Sequence, residues 1–321
     1  MRRREASVAG AILTLFAVLW LTTPQYFSRA NLLDLFLTNA PVLIIALGMT
    51  LVILTGQIDI SVGSIFAVAS VSAGVFAIQG LSPQAAAIMA CFVGASLGAL
   101  NGTLVAYVRI PSIVVTLATT VALRDGLRWA TQGAWIDNLP HDYQWLGLSQ
   151  GSYPVVVLLI AAVLSAAGAW TLHNIGAGRA VYATGSNEEG ARLAGISTSL
   201  VKLSVFTTLG ALTGLAAALN SVRFNQIPSN TGLGLEMKVI ASVVVGGAAV
   251  TGGSGSIVGT VLGVVLMGTI GPALTFLGVN AYWEKALQGG IILIAIMIGA
   301  LRFHSGNSGQ AKHTTRAAAN V

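Results

Sequence analysis

One polar stretch between two apolar segments, residues 174–199, has the charge pattern of a short helix. Ser186 is followed three residues later by Glu189, which is the spacing of a capping box. Glu188 and Glu189 then fall in the first turn, where carboxylates suit the positive end of a helix dipole. Arg192 follows at the spacing of a charge pair with either carboxylate. The pattern therefore predicts one compact helix that begins after Ser186.

We expect this helix to bind a partner protein. It is too short to be stable alone in water, and Gly195 is a natural end for it. Leu193 and Ile196 are expected to remain exposed. A short helix with an apolar end, held between two membrane spans, suits a groove on another protein. The alternative is a capped surface helix in an ordinary loop, and the local pattern leaves both open.

No residues with the spacing of a catalytic, metal or nucleotide site occur in the sequence. The single cysteine, Cys91, lies in an apolar run, and the four histidines have no ligand spacing. The stretch 253–259 reads GxGxxxG, and the chain contains no Gly-Lys-Ser or Gly-Lys-Thr, so neither a Rossmann fingerprint nor a P-loop is supported. We expect no enzyme activity, no cofactor and no metal. Any energy from ATP must then come from a partner protein.

A second polar turn, residues 56–64, separates two apolar segments and contains Gly56, Asp59, Ser61 and Gly63. Asp59 or Ser61 could cap the helix that follows. The functional alternative is a tight turn on the cytoplasmic side that shapes a transport pathway.

Ionisable side chains inside membrane spans are functional candidates by default. The charged residues here form neighbouring pairs that are expected near span ends, where snorkelling costs little: Arg124 with Asp125, Glu236 with Lys238, and Glu284 with Lys285. No chain of buried carboxylates or histidines, as a proton-coupled carrier needs, is visible.

The elements that position these residues are membrane spans. Of the 321 residues, 55% are hydrophobic and 8% charged, with a mean hydropathy of +0.82, whereas globular proteins carry roughly 25% charged residues. At about 20 residues per span, the sequence predicts an all-α, polytopic integral membrane bundle of about ten transmembrane helices. The spans are expected near residues 6–23, 40–55, 61–79, 85–107, 111–130, 154–173, 200–222, 235–250, 256–278 and 284–302. Residues 1–302 form this domain, and 303–321 are expected to be a disordered cytoplasmic tail.

The basic residues predict the orientation of the chain in the cell inner membrane. With the N-terminus inside, ten spans place both termini in the cytoplasm, and ten of the sixteen Lys and Arg residues fall on that side. This bias explains the net charge of +6 without a nucleic-acid partner. The Thr131–Tyr153 loop is then external, and Pro24–Asn39 is expected to be a short polar connection.

Small residues recur at every fourth position in three predicted spans, which in lipid brings helix backbones into close contact. The three series are Gly94, Gly98 and Gly102; Gly210, Gly214 and Ala218; and Gly255, Gly259 and Gly263.

Four stretches together resemble a known family: G-Q-I-D-I-S-V-G at 56–63, P-S-I-V-V-T-L at 111–117, G-R-A-V-Y-A-T-G-S-N to A-R-L-A-G-I at 178–196, and V-G-G to G-G-S-G-S-I-V-G at 245–259. From about residue 8 to 302 the chain is similar to the membrane-spanning permease subunits of bacterial ABC importers for sugars, in the ribose, xylose and arabinose group. Residues 135–140 and 226–238 look most like the rhamnose and autoinducer-2 importers of that group. One departure is residues 116–125, where relatives often have Gly in place of Ala118 and Arg-Gly in place of Arg124-Asp125.

The resemblance implies that the polar stretch is the coupling loop that docks on a separate ATPase. The residues concerned are Gly178, Arg179, Gly185, Ser186, Asn187, Glu188, Glu189, Arg192, Leu193, Gly195 and Ile196. It also implies a second permease copy or a sister permease, and a periplasmic or lipid-anchored binding protein that delivers a monosaccharide or sugar-like solute. The alternative is a stand-alone secondary sugar carrier. The residues that touch the solute are not apparent from the sequence.

Overall fold

The computed structural model describes residues 3–280, 282–291 and 293, and within them the chain is helical, without a β-strand. Its α-helices are α1 Arg3–Thr22, α2 Arg29–Leu54, α3 Val62–Ile78, α4 Pro83–Ala106, α5 Ser112–Thr131, α6 Tyr153–Asn174, α7 Gly176–Ser186, α8 Glu188–Leu193, α9 Thr198–Ser221, α10 Leu235–Val245 and α11 Ile257–Phe276. Two short 3-10 helices, Pro24–Phe27 and His141–Gly147, lie in the connections.

Six of the described helices are long and apolar enough to cross a membrane, namely α1, α2, α4, α6, α9 and α11, and α3 is a shorter apolar helix. α5 has 20 residues but carries three charged side chains in its second half, and α10 has only 11 residues. The chain is therefore an all-helical protein with several helices able to span a membrane, and the count of about ten stays a prediction. The predicted tail 303–321 and most of the predicted span 284–302 lie outside the described residues.

The polar connection predicted at Pro24–Asn39 is wrong, because α2 begins at Arg29. Ser28 is its N-cap and accepts a hydrogen bond from the N–H of Asn31 at 3.4 Å. The polar side chains that suggested a loop are accommodated in the helix: the Asn39 amide donates to the Leu35 carbonyl four residues earlier, at 2.8 Å. The result is one helix of 26 residues, longer than the span expected from hydropathy alone.

α4 and α9 approach so closely that side chains cannot fit between them. A Cβ atom on Gly94 would overlap the carbonyl oxygen of Gly210, and one on Gly210 would overlap that of Gly94. Backbone atoms of the facing helix also lie within 3.1 Å of a Cβ built on the other glycines of this contact, Gly98, Gly102 and Gly214. The four-residue spacing of small residues thus marks a backbone-to-backbone helix contact.

α10 and α11 meet in the same way at Gly246 and Gly259, where a Cβ on either residue would overlap the other's carbonyl oxygen. Gly263 faces the Ser242 carbonyl, one turn further along. Gly255 was expected in the same span but precedes α11, which begins at Ile257. It lies in the turn between α10 and α11, so it shapes that turn and is not part of a helix stripe.

The connection between α9 and α10, residues 222–234, is irregular and runs back into the bundle beside α3. A Cβ on Gly74, in the last turn of α3, would lie 2.7 Å from the Ile227 side chain. A Cβ on Gly63, in its first turn, would lie 2.6 Å from the Gly232 carbonyl oxygen. The segment therefore follows α3 for most of its length, and α10 begins three residues after the contact at Gly232.

Candidate functional site

The polar stretch forms two helices, α7 and α8, and the capping box predicted at Ser186 is wrong. Ser186 is the last residue of α7, and Asn187 is the N-cap of α8, where its Oδ1 accepts from the N–H of Gly190 at 2.9 Å. Asn caps a helix as well as Ser does. Asn187 also has the extended backbone of an N-cap, with φ −159° and ψ 99°, so α8 begins one residue later than predicted.

The charged side chains of α8 pair differently from one another. Arg192 contacts Glu189 at 2.7 Å, as the helical spacing allows. Glu188 does not pair with Arg192, because its carboxylate binds Lys202 of α9 at 2.6 Å. The Lys202 side chain is only 12% exposed, whereas those of Glu189 and Arg192 are more than 60% exposed. One ion pair thus ties α8 to α9, and the other lies on the surface.

α7 is seated on the end of α2 and on the turn before α11. A Cβ on Gly185 would overlap the carbonyl oxygen of Leu54, the same oxygen that accepts from the N–H of Gly253 at 2.9 Å. The Tyr182 hydroxyl donates to the Gly255 carbonyl at 2.9 Å. At the other end of α7, Gly178 lies so close to the last turn of α6 that it has no room for a side chain. A displacement of α7 therefore displaces the ends of α2 and α11.

The end of α8 presents an apolar tip. Leu193 is 81% exposed, and Gly195, at φ +82°, ends the segment in the left-handed conformation that glycine favours. Ile196 was expected to be exposed and is half-buried, so Leu193 alone forms the tip. Beside it lies a cavity of about 410 Å³ whose lining includes five charged residues, Arg109, Glu188, Glu189, Arg192 and Lys202. Arg179, on α7, is exposed as well.

The turn at 56–63 belongs to a buried hydrogen-bond chain. Asp59 is fully buried, and its Oδ1 accepts from the Ser61 N–H at 2.7 Å and from the Ser61 hydroxyl at 2.6 Å. The Asn101 amide of α4 donates to the Ser61 hydroxyl at 2.8 Å and accepts from Thr119 of α5 at 2.7 Å. Ser61 holds the N-cap position of α3 without a capping hydrogen bond from its side chain. The turn thus joins α3, α4 and α5.

At two positions the backbone of this turn requires glycine. Gly56 has φ +74°, and Gly63 lies against the Glu236 carboxylate and the Gly232 carbonyl, which leave no room for a side chain.

Two cavities lie along the irregular segment 222–234. The first, of about 630 Å³, is lined largely by amide, hydroxyl and aromatic side chains, among them Ser70, Trp135 and Gln226. The second, of about 730 Å³, continues past Gly232 to Lys238 of α10. Both cavities are lined by Thr38, Asn220 and Thr231. Because they share these residues, the two cavities are adjacent, and we call them together the merged cavity.

Arg124 does not snorkel to a span end as predicted. It is half-buried in α5, and its guanidinium donates to the Thr231 carbonyl at 2.7 Å. This contact fixes the irregular segment at the point where the two cavities meet.

The loop between α5 and α6 holds the same segment from the other side. Ile136 and Ile227 exchange two backbone hydrogen bonds of 2.9 Å, an isolated antiparallel bridge. The Tyr143 hydroxyl bonds to the Ser221 hydroxyl at 2.7 Å. Burial raises the pKa of Tyr143 to about 12, against the opposing effect of that hydrogen bond, so the phenol stays neutral. The bridge places the neighbouring Trp135 at the rim of the merged cavity.

Residues 31–296 match a protein family described as "Branched-chain amino acid transport system / permease component". The chain belongs to this permease family. Among curated proteins, it is 37% identical to the "Autoinducer 2 import system permease protein LsrC" of Yersinia pseudotuberculosis serotype O:1b, over 93% of the chain and 86% of that protein. The protein of the same name from Yersinia pestis strain Angola is also 37% identical over the same shares. No solved structure matches the chain significantly.

The resemblance to importer permeases is therefore confirmed, and the chain is a permease subunit of an ABC importer, not a stand-alone carrier. What the sequence missed in this permease is the merged cavity. The available signal was the interruption of an apolar pattern by Pro228, Gly232 and Gly234, since broken helices mark binding sites in many transporters.

Proposed function

We propose that this permease forms the membrane path for a sugar-like solute, with autoinducer 2 the first candidate, and that α7 and α8 couple it to a separate ATP-binding subunit. A binding protein, periplasmic or lipid-anchored, delivers the solute, and a second permease copy or a sister permease completes the path. The family description names amino acids, whereas the relatives are named for autoinducer 2. The match to the relatives covers 93% of the chain, and we base the solute class on them.

The observation that carries the coupling proposal is the combination of an exposed tip and an anchored base. Leu193 is exposed at the end of α8 beside a charged cavity, which suits a partner that supplies a pocket and complementary charges. Gly185 and Tyr182 fix α7 to the backbone near the ends of α2 and α11. Force applied to the tip by an ATPase is therefore transmitted to helices that can span the membrane. ATP hydrolysis itself is assigned to the partner subunit.

The proposal sets the orientation. α7 and α8 must lie in the cytoplasm to meet an ATPase, so the loop between α5 and α6 and the outer opening of the merged cavity face the other side. With about ten spans, both termini are then cytoplasmic, in agreement with the distribution of basic residues.

The substitution Leu193→Asp tests the coupling directly, because it places a charge at the centre of the proposed contact. The variant should insert and fold, since Leu193 is exposed and contributes little to the bundle. It should fail to retain the ATPase in a pull-down and should lose autoinducer-2 uptake in cells. The matched control is Leu148→Asp, an exposed leucine in the loop between α5 and α6, which should retain both. Normal ATPase retention and uptake by Leu193→Asp would reduce α8 to a capped surface helix.

A further inference from the structure

We infer that the merged cavity is the solute-binding site of the permease, with Asn220, Gln226 and Trp135 as contact residues for a neutral, polyhydroxylated solute. This inference rests on the proposed function, because it assigns the site through which the solute of that function passes. The first part of the cavity, about 630 Å³, is within the size range of small-molecule sites, roughly 300–1,000 Å³.

Two side-chain amides are available in the cavity. Asn220, in the last turn of α9, and Gln226, in the irregular segment, both line it, and neither side chain hydrogen-bonds to any described residue of the chain. Each amide offers two N–H donors and one carbonyl acceptor. A hydroxyl group both donates and accepts, so neighbouring hydroxyls of a polyol can satisfy both functions of an amide. Trp135, 56% exposed at the rim, adds a flat apolar face.

The charges of the first cavity are already compensated within the chain. Arg223 is the only ionisable side chain among its described lining residues, and its guanidinium contacts the Asp34 carboxylate at 3.2 Å. It also lies over the Phe224 ring, 5.6 Å from the ring centroid. A solute with both a carboxylate and an ammonium group would lose hydration there without gaining two free counter-charges, which is costly. The first cavity, which holds Gln226 and Trp135, therefore favours a neutral solute over a free amino acid.

A solute-binding cavity also explains why the backbone of residues 222–234 is irregular. Irregular backbone at membrane depth occurs only where protein buries it or where it lines a water-filled cavity. Residues 222–234 have no helix to satisfy their peptide groups, and Arg124 binds the carbonyl of Thr231 where the two cavities join. Beyond that point the second cavity is lined by Gly232, Gly234 and Lys238 of α10.

Thiol modification of the assembled importer in intact cells tests the site. In a Cys91→Ala background, Asn220→Cys and Gln226→Cys should react with membrane-impermeant methanethiosulfonates added outside. The ratio of the anionic to the cationic reagent's reaction rate should equal the ratio measured for a free thiol in solution. An unpaired charge about 6 Å from the thiol would change that ratio about tenfold. Modification should also block uptake of labelled autoinducer 2. The matched control is Asn230→Cys, which is exposed on the same segment but does not line the cavity; its modification should leave uptake intact.

Three results would overturn the inference: no reaction at either position, a rate ratio shifted tenfold or more, or normal uptake after complete modification at both. Failure of the proposed function is a different result, since Leu193→Asp would then retain the ATPase and uptake whatever the thiols do. If the wild-type importer does not take up autoinducer 2, the inference is decided by whether the two cysteines react and by the ratio of the two reagents' rates. Asn220→Ser and Gln226→Ser, which replace the amide with a hydroxyl that still donates and accepts hydrogen bonds, should retain more uptake than the corresponding Leu variants.

Discussion

The α4–α9 contact gives the sharpest test of the packing. Gly210→Ala adds one methyl group, and its Cβ would overlap the Gly94 carbonyl oxygen and lie 2.9 Å from the Gly98 Cα. Both atoms belong to the backbone of a helix, so no side-chain rotation can relieve the overlap, and α4 and α9 must separate along their length. Forcing extra methylene-sized groups into a packed interior costs roughly 1–3 kcal/mol. At roughly 2–4 °C per kcal/mol for a chain of this size class, the melting temperature should fall by several degrees.

The matched control is Gly126→Ala in α5, where a Cβ would meet nothing within 4 Å. Thermal unfolding of both variants, purified in the same detergent and followed by tryptophan fluorescence, gives the comparison. Gly126→Ala should melt at the wild-type temperature or slightly above it, because alanine favours helix over glycine. If Gly210→Ala melts together with the control, the helices are not in backbone contact and the reasoning fails.

Two further predictions concern the coupling segment and the orientation. Asn187→Ala should destabilise α8 by about 1 kcal/mol through loss of its cap and reduce uptake, whereas Ser186→Ala should leave the cap intact; equal effects in an uptake assay would contradict the cap assignment. In a Cys91→Ala background, Ser149→Cys should react with an impermeant thiol reagent in intact cells and Ser197→Cys only after permeabilisation, and the reverse pattern would invert the topology.

The sequence was a good guide to the features that depend on local composition. The apolar content predicted a helical membrane protein, and the glycine spacing identified residues that lie in the α4–α9 contact, since both follow from residue type and periodicity. The family was visible because four separate stretches matched together. The exposed Leu193 and the end at Gly195 also followed from local pattern.

The features that depend on partners distant in the chain were not predictable in the same way. Glu188 had a helical partner at Arg192 but binds Lys202, because the packing of α8 on α9 places the lysine closer. Ser186 and Asn187 are both favourable N-cap residues. Asn187 is the cap because α7 continues through Ser186. The merged cavity is lined by α2, α3, α9, the loop after α5 and the irregular segment 222–234, which no local pattern brings together.

The central claim is that the tip of α8 contacts the ATPase, and site-specific photocrosslinking tests it most directly. A photoreactive phenylalanine analogue placed at Leu193 should crosslink to the ATP-binding subunit in the assembled importer, since that side chain is 81% exposed at the proposed interface. The same analogue at Leu148, in the loop between α5 and α6, should give no such adduct. An intact complex that yields no ATPase adduct from position 193, or yields it equally from position 148, would contradict the account.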